Sequence, residues 1–258
     1  MSIYKRMMDR AANGGVQIDT FLDEPSGVRC GEELRGSVIL KGGHSETQVT
    51  RIWFQLLAEF ACEKDKQIVK ENGVIYRYMF ETNISIAPGE EKNIPFRFQI
   101  PFSTPLSIGT TNIWLETEAD VEMAPNRNDR DVVRIMPPPI VGAFFEAVGL
   151  LGLRLNEVSL LHVPHLRPDF PFVQEFEFKP RLPSALDEIE VYYIAESRDR
   201  VDFYIEIDRR SKGMLGLLEE AFDWDERCIK VTLTSEDIGD PDRLADHLAR
   251  TFLPYLGR

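Results

Sequence analysis

The sequence predicts an all-β protein built as two β-sandwiches in tandem and closed by a C-terminal helix. Three observations lead there. Apolar residues recur at every second position through much of the chain, the period of a strand with one buried face. Turn residues interrupt these runs at short intervals, as they do in sandwiches. Three consecutive prolines, Pro137-Pro138-Pro139, split the runs into two sets. A triple proline continues neither strand nor helix and stiffens the chain into an extended spacer. The division expected is therefore 1–136 for one sandwich and 137–258 for the other.

In the first set, Val16, Ile18, Thr20 and Leu22 share one face of a strand, as do Leu34, Gly36, Val38 and Leu40 of the next, which ends at Lys41-Gly42-Gly43. Ile52, Phe54, Leu56, Ala58 and Phe60 alternate through 49–62, and 67–86 is a further extended stretch rich in Val, Ile, Tyr, Phe and Thr. Ala87-Pro88-Gly89-Glu90 reads as a type II turn, with Pro second and Gly third. Ile94, Phe96, Phe98 and Ile100 then alternate strictly. A strand over 112–118, a polar loop through 124–131 and a short strand over 131–135 complete the set. Before it, Ile3, Tyr4, Met7, Met8 and Ala11 lie at helical spacing, which predicts a short N-terminal helix.

The second set opens with a short apolar helix over 140–151. Strands are expected at 153–163, 173–179, 186–197, 200–208 and 228–234, with a helix at 215–222. A final helix runs from Pro241 to Leu253, with Asp240 as N-cap, Leu244, Leu248 and Phe252 as its buried stripe, and Pro254 as its stop.

The chain has 258 residues, 43% hydrophobic and 28% charged, with a net charge of −13. That is enough apolar material for a full core without disulfides or metal. The acidic excess is −4 over 1–135 and −9 over 136–258. Neither half is a cationic surface, which argues against nucleic acid as a partner. Cys30, Cys62 and Cys228 are odd in number and far apart, so neither a disulfide framework nor a cysteine zinc site is expected. The first residues lack the apolar run of a signal peptide, and no stretch has the ~20 apolar residues a membrane span needs. A cytoplasmic protein without stable membrane insertion is expected.

The order of these residues resembles a known family. The blocks that carry it are 16–43, 87–101 (APGEEKNIPFRFQIP), 107–117 (SIGTTNIWLET), 171–180 (PFVQEFEFKP) and 207–222 (IDRRSKGMLGLLEEAF), with Gly31-Glu32-Glu33 and Gly36 as a shared strand entry. The chain is similar to the bacterial sporulation-control proteins, an arrestin-like group of two-sandwich proteins. The resemblance implies two arrestin-like sandwiches and a regulatory or scaffolding role in developmental or cell-cycle events. It supplies no catalytic residue, and relatives in bacteria that do not sporulate keep the biological process open.

Candidate chemistry is sparse. The motifs that mark hydrolases, nucleotide sites and zinc peptidases are missing. His162 and His165, in His-Val-Pro-His, with Asp169 downstream, offer three ligands for a divalent metal and are the centre of an alternative reading as a metal-dependent enzyme. Asp208, Arg209, Arg210 and Lys212 form a cluster suited to a carboxylate or phosphate, either on a partner or at the domain junction. No cofactor is expected. The expected function is a non-catalytic adaptor whose sheet edges accept segments of protein partners, with Gly42, Gly43 and Pro88 framing such edges. The same edges would support a homodimer or a self-assembling structural protein.

Overall fold

The computed structural model describes residues 15–65, 67–121, 127–163, 170–183, 186–195, 197–208 and 229–256. The strands are β1 (Gln17–Leu22), β2 (Val28–Arg29), β3 (Glu33–Lys41), β4 (Thr47–Lys64), β5 (Gln67–Ile86), β6 (Glu91–Gln99), β7 (Ile113–Val121), β8 (Arg127–Val133), β9 (Ile135–Met136), β10 (Leu153–His162), β11 (Phe172–Pro180), β12 (Glu188–Ala195), β13 (Arg200–Asp208) and β14 (Ile229–Thr234). Helix α1 (Pro139–Leu150) follows β9, and α2 (Pro241–Leu256) follows β14.

Strict alternation builds the first sandwich. Leu34, Val38 and Leu40 of β3 turn inward, and β3 lies antiparallel between β1 and β6. Ile52, Phe54, Leu56 and Ala58 of β4 face them from the opposing sheet, whose local order is β5-β4-β7-β8. Phe54 sits at the centre, with ring centroids 4.4 Å from Phe96 and 5.5 Å from Phe98. Each such buried side chain contributes roughly 1.5–3 kcal/mol. Gly36 of β3 has no room for more: a Cβ there would lie 2.3 Å from the Phe21 carbonyl oxygen and 2.7 Å from the Phe96 ring. The expected turn forms at Ala87–Glu90, closed by the Glu90 amide on the Ala87 carbonyl at 3.0 Å, with Gly89 at φ 71°.

β4 is the spine of the molecule. β5 flanks it from Thr47 to Lys64, while β7 flanks its other side only as far as Ala58. Beyond that point the vacant side takes β10, in a parallel pairing of Ala61 with Leu161. A single nine-stranded sheet, β14-β13-β12-β11-β10-β4-β7-β8 with β5 on β4, therefore runs through both halves of the chain. Five of its strands, β10 to β14, belong to the second half. Helices α1 and α2 pack against each other, and α1 lies on β10 and β13. Phe144 of α1 stacks on Phe203 of β13 at 4.0 Å and 13°. Pro138 precedes α1 in extended conformation, Pro139 takes its first turn, and the Gly142 amide returns to the Pro138 carbonyl at 3.0 Å.

The predominantly β architecture with a C-terminal helix is the expected one. Asp240 caps α2 as predicted, its Oδ1 accepting the Asp242 and Arg243 amides, both at 3.1 Å. Three details differ. β8 starts at Arg127, inside the stretch read as a loop, because its polar residues pair with β7 and Asp129 points inward. The parallel pair β2–β9 is too short to leave a periodic signal. α2 runs through Pro254 to Leu256 rather than stopping before that proline. The helices expected at 1–12 and 215–222 lie outside the described residues. Among the described residues, no helix is long and apolar enough to cross a membrane.

Candidate functional site

The two open sides of the first sandwich are built differently. On one side, β1 and β8 approach each other. The Thr20 amide donates to Asp129 Oδ2 at 2.8 Å, and the Thr20 hydroxyl donates to the Thr117 hydroxyl at 2.9 Å. All three residues are buried, so polar groups seal that side.

The other side lies between β5 and β6 and is not closed in this way. Tyr76, Tyr78 and Phe80 lie opposite Leu56, Phe54 and Ile52 of β4, so they belong to the core-facing side of the sheet. Tyr78 packs against the core, while Tyr76 and Phe80 stay exposed beside it. Tyr78 stacks on Phe98 at 4.1 Å and meets Tyr76 at 4.8 Å, while Phe80 meets Phe54 edge-on at 5.6 Å. The Tyr78 hydroxyl donates to the Gln99 carbonyl, and burial pushes its phenol up from the ordinary range. Tyr76 remains 37% exposed, Phe80 38%, Val74 37% and Met79 45%. β5 is 20 residues long and pairs only with β4 among the described residues. Strands in globular proteins usually have 3–10 residues, and an edge of this length offers a row of backbone donors and acceptors.

The solvent face of the same strands carries Met79, opposite Trp53, and Val74, opposite Leu57, among polar groups that pair tightly. Trp53 Nε1 donates to Asp120 Oδ2 at 3.1 Å. The Arg77 guanidinium lies 5.5 Å from the Trp53 ring centroid and donates to Gln55 Oε1 at 2.9 Å. Glu116 receives Arg130 through Nε at 3.1 Å and Nη2 at 2.8 Å. Exposed apolar surface on β5 is thus bordered by side chains already engaged with one another.

Two further features emerge only from the registers. The first is a row of carboxylates. Glu157, Glu177, Glu190 and Glu206 stand directly opposite one another on β10, β11, β12 and β13. Lys179 binds Glu177 at 2.7 Å and Glu188 at 3.2 Å. Glu175, beside the row, is buried, and its Oε2 has no hydrogen-bond partner among the described residues. Burial, then the neighbouring Glu190 carboxylate, pushes its pKa up to about 8. The second is Gln174, whose carboxamide joins the halves. Its Oε1 accepts the Leu106 amide at 2.7 Å, and its Nε2 donates to the Leu106 carbonyl at 2.9 Å and to Thr111 Oγ1 at 3.2 Å. The acidic alternation of 175–177 and 188–190 was legible in the sequence, but not its alignment across strands.

His162 closes β10 and lies between aromatic rings, with centroids 5.4 Å from Phe60 and 5.3 Å from Phe172. His165 and Asp169 lie outside the described residues. Among the described residues, no group of three or more His, Cys, Asp or Glu is arranged to hold a metal. Asp208 ends β13 in register with Glu188, and Arg209, Arg210 and Lys212 lie outside the described residues. Cys30 is buried, donates to the Thr104 carbonyl at 3.3 Å, and has its thiol pushed up to about 12 by burial, so it remains a thiol at neutral pH.

The chain matches the family model described as SpoOM protein over residues 4–211. It is 30% identical to the sporulation-control protein spo0M of Bacillus subtilis (strain 168) over 258 residues, covering 99% of each chain. Its structure is similar to the crystal structure of Spo0M, sporulation control protein, from Bacillus subtilis. That match has a TM-score of 0.85 at 30% identity, covering 94% of this chain and 99% of that one. The likeness places the chain among arrestin-like folds.

Proposed function

Because the chain belongs to the SpoOM protein family, we propose that it is a regulatory adaptor of sporulation or a related developmental process. In this reading it works by binding protein partners in the cytoplasm and catalyses no reaction. The observation that carries the binding part is the β5 edge, a 20-residue strand that pairs only with β4 among the described residues and exposes Tyr76, Phe80, Val74 and Met79. Backbone groups along such an edge give affinity to an added strand, and the aromatic side chains beside it select apolar residues in that strand. The partner that fits is an extended protein segment carrying apolar side chains at alternate positions.

The regulatory part rests on the named relative, a sporulation-control protein aligned over the whole chain. The test pairs wild type with Tyr76→Lys/Phe80→Lys, which places lysines at two exposed edge positions; because Phe80 meets the buried Phe54 edge-on, circular dichroism first establishes that the variant is folded. Both proteins are used to capture partners from lysates of the native host, and each captured protein is re-tested as a purified component. A partner that binds wild type and loses at least about tenfold in affinity with the folded double variant supports the reading. Partners that bind both proteins equally place the binding surface elsewhere. The same strand edge would also serve self-pairing, which sedimentation of the two proteins across concentration distinguishes from partner binding.

A further inference from the structure

We propose that the parting of β11 and β12 is a two-position latch between the halves of the chain. These strands pair from Phe178–Ile189 to Glu175–Tyr192, and there their pairing ends. Both strands nevertheless continue. β11 extends back to Phe172 while still paired with β10, and β12 extends on to Ala195 while still paired with β13. The same antiparallel register, carried three residues further, would set Gln174 opposite Tyr193, Val173 opposite Ile194 and Phe172 opposite Ala195. These residues instead line the two sides of a small cleft, about 30 Å³, whose remaining wall is Ser103, Thr104 and Pro105, from the first half of the chain.

Gln174 holds that loop in place. Its carboxamide offers one acceptor and one donor to the amide and carbonyl of a single residue, Leu106, at 2.7 and 2.9 Å. That is the pairing a neighbouring strand would give, made by a side chain. The loop's seat and the missing strand pairs use the same space, so they exclude each other. With the loop seated, the facing edges of 172–174 and 193–195 lack each other, and Thr104 Oγ1 is buried with no hydrogen-bond partner among the described residues. With the loop withdrawn, β11 and β12 can close on each other while Leu106 loses Gln174. Each position satisfies polar groups that the other leaves unmade, which is the condition for a bistable element. Withdrawal would release the loop's hold on β11 while leaving β10–β11, β12–β13 and the Phe60–Phe172 ring contact in place. The latch would thus bias how the halves are coupled, independently of where partners bind.

The test uses the full chain with Val173→Cys and Ile194→Cys, which become direct neighbours only when the strands close. Under a mild oxidant, with the unmodified chain as control for its native thiols, crosslinking is expected to proceed slowly. It is expected to be about tenfold faster when Gln174→Leu is added, the shift that the net loss of one or two hydrogen bonds carries. The crosslinked chain is also expected to exchange its Leu106 amide faster. No crosslink in either folded variant overturns the proposal, as does a crosslink that leaves Leu106 exchange unchanged. Gln174→Leu alone provides a second reading by hydrogen exchange. Faster exchange at Leu106 with slower exchange within 193–195 supports the latch, and any other pattern at these two places overturns it.

Discussion

Asp129 on β8 accepts the Thr20 amide of β1 at 2.8 Å, across the side where the two sheets of the first sandwich meet. Among the described strands β1 is an edge strand, so the Thr20 amide finds its partner outside its own sheet. A buried carboxylate supplies one. Asp129→Ala leaves that amide unpaired and is expected to cost about 1.5–3 kcal/mol, the range for hydrogen bonds to charged groups. Urea unfolding checks this, with a lower midpoint at unchanged slope.

Phe144 carries the docking of α1. It is fully buried and stacks on Phe203 at 4.0 Å. Phe144→Ala is expected to destabilise the protein by about 3–5 kcal/mol, because the lost ring leaves a cavity between helix and sheet. Tyr76→Ala, on the open edge, is expected to cost far less. Denaturation of both variants under one condition checks the contrast.

Glu175 makes stability depend on pH. Its folded pKa, about 8, lies above the ordinary value of 4.5, so the folded state holds a proton that the unfolded state releases. The stability linked to it is fully present below the unfolded pKa and is lost as pH rises from about 4.5 through about 8. The slope is at most about 1.4 kcal/mol per pH unit. Glu175→Gln removes this dependence. The variant is expected to gain on wild type steadily between pH 5 and 8, as read from unfolding midpoints at several pH values.

Cys30 is expected to be inert in the native protein. Its thiol is buried, bonded to the Thr104 carbonyl and pushed up to about 12, which leaves almost no thiolate at pH 7.5. Alkylation followed by peptide mass spectrometry should find Cys30 modified only after denaturant is added.

The strands were legible because their burial is one-sided. Leu34, Val38 and Leu40, or Phe96 and Phe98, alternate with polar neighbours and leave one reading. The first part of β8 was not legible, because 127–130 is wholly polar and becomes strand only through pairing with β7 and through Asp129 meeting Thr20. The same non-locality hid the functional features. The open β5 edge follows from which strand lacks a neighbour, the glutamate row from four registers, and the Gln174 grip on Leu106 from a contact 68 positions apart in sequence. The histidine and arginine candidates rest on local spacing. Of His162, His165 and Asp169, His162 lies among the described residues, between Phe60 and Phe172.

The β5 edge carries the account, and amide hydrogen exchange of β5 with and without a bound partner tests it most directly. A partner that adds a strand there will slow exchange at alternate amides within 67–86, and the slowing will disappear in Tyr76→Lys/Phe80→Lys. A partner that binds with full affinity while exchange across 67–86 stays unchanged would contradict it.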